Sequence, residues 1–343
     1  MRRKIYQELL QWKQRSGESA LLVQGARRVG KSYIVEAFAK AEYKSYILID
    51  FNLVDQPVKE MFEHDLVDLK TFFMKLTTYY GVKLYERESL IIFDEVQLFP
   101  RARSAIKYLV ADGRYDYIET GSFISIRENV KDILIPSEED HVDMYPLDFE
   151  EFLWANGNDT MMDFIRDCYR KKAPLGQALH RKAMDLFRQY LIVGGMPQAV
   201  NAFVKHNDFD EVDRVKRRIL NLYRDDIRKH AKGYEMKVEA IYDEIPSQMK
   251  NQNQHFKLSS LKQGARFDEY KDAMFWLSDA MIVNHCYNAT EPTFGLNLNR
   301  DRTLLKCYMG DTGLLISHAF DENGIVTGEV YKKLLLDKLE VNM

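Results

Sequence analysis

Across the first 147 residues, short apolar runs alternate with amphipathic stretches. The runs at Ala20–Gln24, Ser45–Phe51, Ser89–Phe93, Tyr115–Thr120 and Val142–Tyr145 read as strands, the Ile-rich Ser89–Phe93 as a buried parallel one. Helical spacing fills the gaps at Lys31–Tyr43, Asp68–Tyr80 and Arg103–Asp112. That alternation predicts an α/β fold, a parallel sheet flanked by helices. Ahead of the first strand, Ile5, Leu9, Leu10 and Trp12 recur on one side, so residues 1–17 read as an amphipathic helix. Past residue 147 the pattern changes. Leu147-Asp-Phe-Glu-Glu-Phe-Leu-Trp154 opens a helical region that runs to about Lys232 and is broken at Gly194-Gly-Met-Pro197. Helices at Val238–Met249 and Asp268–Leu277 then precede strands at Ile282–Asn288 and Leu304–Met309. Helix, helix, hairpin is the order of a winged-helix-like module. The expected division is therefore an N-terminal helix (1–17), an α/β core (18–147), a helical lid or linker (148–232), a winged-helix-like module (233–316) and the start of a further domain (317–343).

Between the first strand and the helix after it lies Gly25-Ala26-Arg27-Arg28-Val29-Gly30-Lys31-Ser32, which fits G-x-x-x-x-G-K-[ST] at every fixed position. Glycines let such a loop curl its N–H groups inward around phosphate oxygens. The following helix start, from Lys31 through Tyr33, adds unpaired N–H groups and the positive end of its dipole. Lys31 supplies a point charge for β and γ phosphates, and Ser32 a hydroxyl for Mg²⁺. A second strand, Ser89-Leu-Ile-Ile-Phe, ends in Asp94-Glu95. Groups at the carboxyl ends of parallel strands gather at one site, so Asp94 is expected on the metal and Glu95 on the attacking water. The same two carboxylates could instead cap the next helix. The fourth strand ends in Glu119-Thr-Gly-Ser122, where Ser122, with Thr120 behind it, is the candidate for touching the γ-phosphate or the water. The expected ligands are thus ATP and Mg²⁺ on a P-loop NTPase sheet. A guanine-reading Asn-Lys-x-Asp is not matched by Asn129-Val-Lys-Asp132, which favours ATP over GTP.

Composition narrows the setting. An apolar fraction of 46% with 29% charged residues is ordinary for a globular chain, and a net charge of −3 gives no global pull toward nucleic acid or anionic membrane. Cys168, Cys286 and Cys307 form neither a disulfide framework nor a zinc spacing, which fits a reduced, cytoplasmic location. Runs such as Leu90–Phe93 and Tyr190–Val193 are far too short to cross a bilayer, and no apolar stretch of signal-peptide type follows Met1-Arg-Arg-Lys4.

Taken in order, Gly25–Ser32, Ile91-Ile-Phe-Asp-Glu-Val-Gln97, Thr120-Gly-Ser122, Gly194-Gly-Met-Pro197 and Tyr308-Met-Gly-Asp-Thr-Gly-Leu-Leu315 resemble a family of bacterial and archaeal AAA-type ATP-binding proteins. The family's C-terminal half is a domain of unknown function with a winged helix and a restriction-endonuclease-like fold. The resemblance covers nearly the whole chain and implies that this one is C-terminally truncated, since members generally continue past the position of Met343. An amphipathic helix expected over Tyr331–Leu339, with Leu334, Leu335 and Leu339 on one side, would then lack cover and support self-association or a protein partner.

Two functional readings follow. In the first, an ATPase uses hydrolysis to switch conformation. In the second, a nucleotide switch with little or no turnover binds nucleic acid through a basic helix face formed by Arg214, Arg217, Arg218, Arg224 and Arg228 and flanked by Lys216, Lys229 and Lys232. A solvated face paired with nearby acids is the simpler account of such a stripe. The sequence assigns no arginine finger: Arg101, Arg103 and Arg114 could serve a neighbouring subunit, but a surface arginine is the simpler account of each.

Overall fold

A computed structural model describes residues 1–15, 17–121, 138–250, 255–291 and 295–320. It divides into two compact units, residues 3–144 and residues 145 onward with the first two residues. Ser122, Asn129–Asp132, the helix expected over 331–339 and most of the expected start of a further domain (317–343) lie outside the described residues.

The first unit begins with α1 (Ile5–Gln14) and continues β1 (Ala20–Gln24), α2 (Lys31–Glu42), β2 (Ser45–Asp50), α3 (Gln56–Glu60), α4 (Leu69–Tyr80), β3 (Ser89–Asp94), α5 (Pro100–Asp112), β4 (Asp116–Gly121) and β5 (Glu139–Asp143). A π turn over Met61–Asp65 extends α3, an element that the sequence pattern did not announce. The strands form one parallel sheet in the order β2, β3, β4, β1, β5. Burial follows that order. Every residue of β3 and β4 is buried, whereas edge strands β2 and β5 are only partly covered. Beside β3, an aromatic cluster of Phe51, Phe62, Phe72 and Phe93 packs mostly edge to face, with centroids 5.1 to 5.8 Å apart. Phe93 anchors the strand one residue before Asp94, and the Phe51 N–H donates to the Asp94 carbonyl at 3.0 Å.

The second unit is helical through α6 (Phe149–Ala155), α7 (Met161–Lys171), α8 (Gln177–Val193), α9 (Pro197–His206) and α10 (Phe209–His230). Next come α11 (Glu235–Lys250) and α12 (Phe267–Asp279), an antiparallel hairpin of β6 (Val283–Ala289) and β7 (Arg300–Met309), and α13 (Thr312–Ala319). Two glycine motifs far apart in sequence meet here. The chain turns after α8 at Gly194, whose φ of 79° lies in the left-handed region that glycine tolerates. Asp311 caps α13, accepting from the Leu314 N–H at 2.8 Å, and its other oxygen accepts from the Gly195 N–H at 2.6 Å. A side chain at Gly194 would overlap the Asp311 carboxylate, one at Gly195 the Leu147 carbonyl, and one at Gly313 the Val193 carbonyl. Beside this junction Lys216 is wholly buried and donates to the Ile192 carbonyl at 2.8 Å. Burial pulls its pKa down to about 8, against the attraction of Asp213 and Asp311. Contrary to the expected basic face, Lys216 is part of the interior and does not flank an exposed stripe.

Candidate phosphate-binding site

The loop between β1 and α2 leaves the sheet pressed against the end of β5, and a Cβ at Gly25 would overlap the Met144 carbonyl. The Met144 N–H in turn donates to the Gln24 carbonyl at 2.7 Å. Arg28 (φ 71°) and Gly30 (φ 97°) are both left-handed, and the two reversals curl the loop. Ala26 and Val29 are buried, whereas Arg27, Arg28 and Tyr33 are exposed. Gly30 occupies the N-cap position of α2 without a side-chain cap, so the helix presents its first N–H groups beside the loop. Lys31 is buried, and its Nζ donates to the carbonyls of Gly25 at 3.0 Å and Ala26 at 3.1 Å.

Ser32 brings the loop to the acidic strand. Its Oγ donates to Asp94 Oδ1 at 2.8 Å. Thr120 Oγ1 donates to the same carboxylate oxygen and also accepts from the Glu95 N–H at 3.4 Å. Strand order explains this placement. β4 lies between β1 and β3, so a residue at its end falls between the phosphate loop and Asp94. Ser122, the candidate set ahead of Thr120, lies outside the described residues, and the fully buried Thr120 hydroxyl sits on Asp94. Glu95 follows with a left-handed φ of 54°, and its carboxylate accepts from Gln97 Nε2 at 2.5 Å. Gln97, buried, was not among the candidate site residues, although it closes the Ile91–Gln97 stretch three residues after Asp94. Ser32 and Asp94 offer hard oxygen donors of the kind Mg²⁺ takes beside phosphate. Among the described residues, no group of three or more His, Cys, Asp or Glu gathers as a separate metal site.

Two expectations need correction or qualification. Arg103 does not project toward another subunit. It is buried, with Nη2 2.9 Å from Glu139 and Nη1 3.9 Å from Glu119. Burial, reinforced by neighbouring Glu139, pushes the Glu119 carboxyl well above its usual range. Arg114 makes a bidentate pair with Asp112, and Arg101 Nε donates to the Phe62 carbonyl at 3.3 Å. The arginines of α10 have acidic partners. Arg214 and Arg218 meet Glu211, Arg217 meets Asp213, Arg224 meets Asp243, and Arg228 meets Glu239 at 3.0 Å and Asp225 at 3.9 Å. Such pairing offsets the positive field a phosphate backbone would need. No helix among the described residues is long and apolar enough to cross a membrane.

Residues 17–153 match the family model of an AAA domain, and residues 184–323 match that of a domain of unknown function (DUF8612). The first half of the chain is thus an AAA-type P-loop domain, and a domain of unknown function follows it. No curated protein matches. Among solved structures, the Walker-type ATPase PABY2304 of Pyrococcus abyssi is similar in fold, with TM-score 0.51 and 14% identity over 92% of this chain and 95% of that one. The RuvB Holliday junction branch migration motor of Thermotoga maritima aligns at TM-score 0.36 and 10% identity, over 83% of this chain and 89% of that one. The Aeropyrum pernix ORC1 protein in complex with DNA aligns at 0.32 and 10%, over 95% and 94%.

Proposed function

We propose that this AAA-type P-loop ATPase binds Mg-ATP on the Gly25–Ser32 loop and uses its hydrolysis as a conformational switch. The observation that carries the reading is the 2.8 Å bond between Ser32 Oγ and Asp94 Oδ1, which puts the loop's hydroxyl and the acidic strand's carboxylate on one point. The backbone N–H groups of the loop and of the α2 start, with Lys31 Nζ, cradle the β and γ phosphates. Ser32 and Asp94 would hold Mg²⁺, which when bound neutralises charge across those phosphates. Glu95 orients and polarises water, and Gln97 and Thr120 hold its carboxylate and its N–H. Ser122, the next residue in sequence after β4, would touch the γ-phosphate or the attacking water. Residues 233–316 act as a winged-helix-like module that reads the switch, in a protein that works in the cytoplasm.

Nucleic acid enters only as the second reading, and the ion-paired arginines of α10 do not favour it. Calorimetry of Mg-ATP binding tests the first. Lys31→Ala is expected to lose most affinity with the fold retained, and an unchanged affinity would remove the phosphate-loop assignment.

A further inference from the structure

We infer that Arg3 positions the phosphate loop by holding the Val29 carbonyl on its outer side, so that the Gly30 N–H faces the phosphate. The inference rests on the nucleotide reading above. Arg3 is buried ahead of α1, and its Nη1 donates to the Val29 carbonyl at 3.0 Å across 26 residues of sequence. The peptide joining Val29 to Gly30 is trans and planar, so its carbonyl and its N–H point in opposite directions. A group that fixes the carbonyl therefore fixes the N–H. This peptide has particular need of such a group, because left-handed residues stand on either side of Val29, at Arg28 (φ 71°) and Gly30 (φ 97°). A charged donor to a buried carbonyl is among the stronger hydrogen bonds a protein makes, and losing it favours rotation of the peptide toward another partner.

Helix α1 delivers the arginine in a fixed place. Ile5, Leu9 and Trp12 are buried. The Tyr6 ring packs edge-on against Phe38 at 5.4 Å, and its hydroxyl donates to Glu42 at 2.7 Å. Both partners lie on α2, the helix that starts at the loop. Trp12 Nε1 donates to the Ser19 carbonyl at 3.1 Å, tying the far end of α1 to the chain just before β1. Arg3 thus joins the two helix starts. Arg27 and Arg28, within the loop itself, are exposed.

The test is ADP binding to the full chain by calorimetry, together with the ¹H–¹⁵N signal of Gly30. Wild type is expected to bind ADP and to shift the Gly30 amide. Arg3→Met, and Arg3→Gln whose chain is too short to reach Val29, are expected to weaken ADP by about 10- to 100-fold and to lose most of that shift. Arg3→Lys, with one donor group and the same charge, should fall between. Wild-type affinity and an undiminished Gly30 shift in either folded neutral variant would overturn the inference. If neither neutral variant folds, Arg3→Lys decides: values equal to wild type overturn the inference, and intermediate values support it. If wild type itself binds no ADP, the nucleotide reading falls, and this inference with it.

Discussion

Two glycine-containing turns in this chain use the same elements for opposite ends. The loop at Gly25–Ser32 and the junction of Gly194-Gly195 with Asp311–Gly313 each place left-handed or sterically crowded glycines beside the N-terminus of a helix. At the junction the protein supplies its own anion. The Asp311 carboxylate takes the Gly195 and Leu314 N–H groups, and the glycines are needed because Leu147, Val193 and Asp311 approach too closely for a Cβ. At the loop, α2 starts on Gly30 with no side-chain cap, and the fixed charge beside it is cationic Lys31. A helix start satisfied by an internal carboxylate is structural. One left with its N–H groups and a lysine around a curled backbone suits an external phosphate. Glycine content alone therefore does not separate a ligand loop from a packing junction; the charge of the neighbouring side chain does.

The contrast predicts that substitutions near the loop strike chemistry and those at the junction strike stability. Glu95→Gln should lower ATP turnover by about 10²- to 10⁴-fold, with nucleotide affinity and melting temperature little changed. Normal turnover in steady-state assays would take the water-orienting role from Glu95. Asp311→Ala should destabilise by about 2 to 3 kcal/mol in denaturant unfolding, because two N–H groups lose their acceptor inside the protein. Gly195→Ala should cost about 1 to 3 kcal/mol, since the new methyl meets backbone at Leu147 and not a side chain that can swing away.

The junction should also show itself in pH dependence. Lys216 titrates at about 8 in the folded protein and near the usual lysine value of ~10.4 when unfolded. Between those values the unfolded chain binds more protons, so this group makes stability rise with pH across that window. Unfolding free energies of wild type measured against Lys216→Met should show that rise in wild type alone. The smallest effect is expected on α10. Arg228→Ala, at an exposed pair, should change stability by about 0.5 kcal/mol or less and leave fluorescence anisotropy of a labelled DNA duplex unchanged. A salt-sensitive loss of duplex binding would instead reinstate the basic face.

Much of the architecture was legible because it depends on local pattern. The strands at 20–24, 89–94 and 116–121, the helix starting at Lys31 and the break at Gly194–Pro197 all follow from apolar runs, glycine and proline. The Gly25–Ser32 loop between β1 and α2 was legible for the same reason: its eight residues are contiguous and their spacing fits one pattern. Strand order was not. It is a matter of which edges pair, and it alone puts β4 between β1 and β3 and so sets Thr120 on Asp94. Burial of charge was hidden as well. Arg103 and Lys216 look like surface cations in a line of sequence, yet the first is enclosed with Glu119 and Glu139 and the second donates to the Ile192 carbonyl. Arg3 carried no motif, and Gln97 lay inside the Ile91–Gln97 stretch with no role that its spacing could assign. What the sequence by itself determined is most of the strands and helices and the contiguous Gly25–Ser32 pattern, because local sterics and hydrophobic period act over a few residues. What only the tertiary structure decided is which distant polar groups share a partner, because that depends on contacts between chain segments tens or hundreds of residues apart.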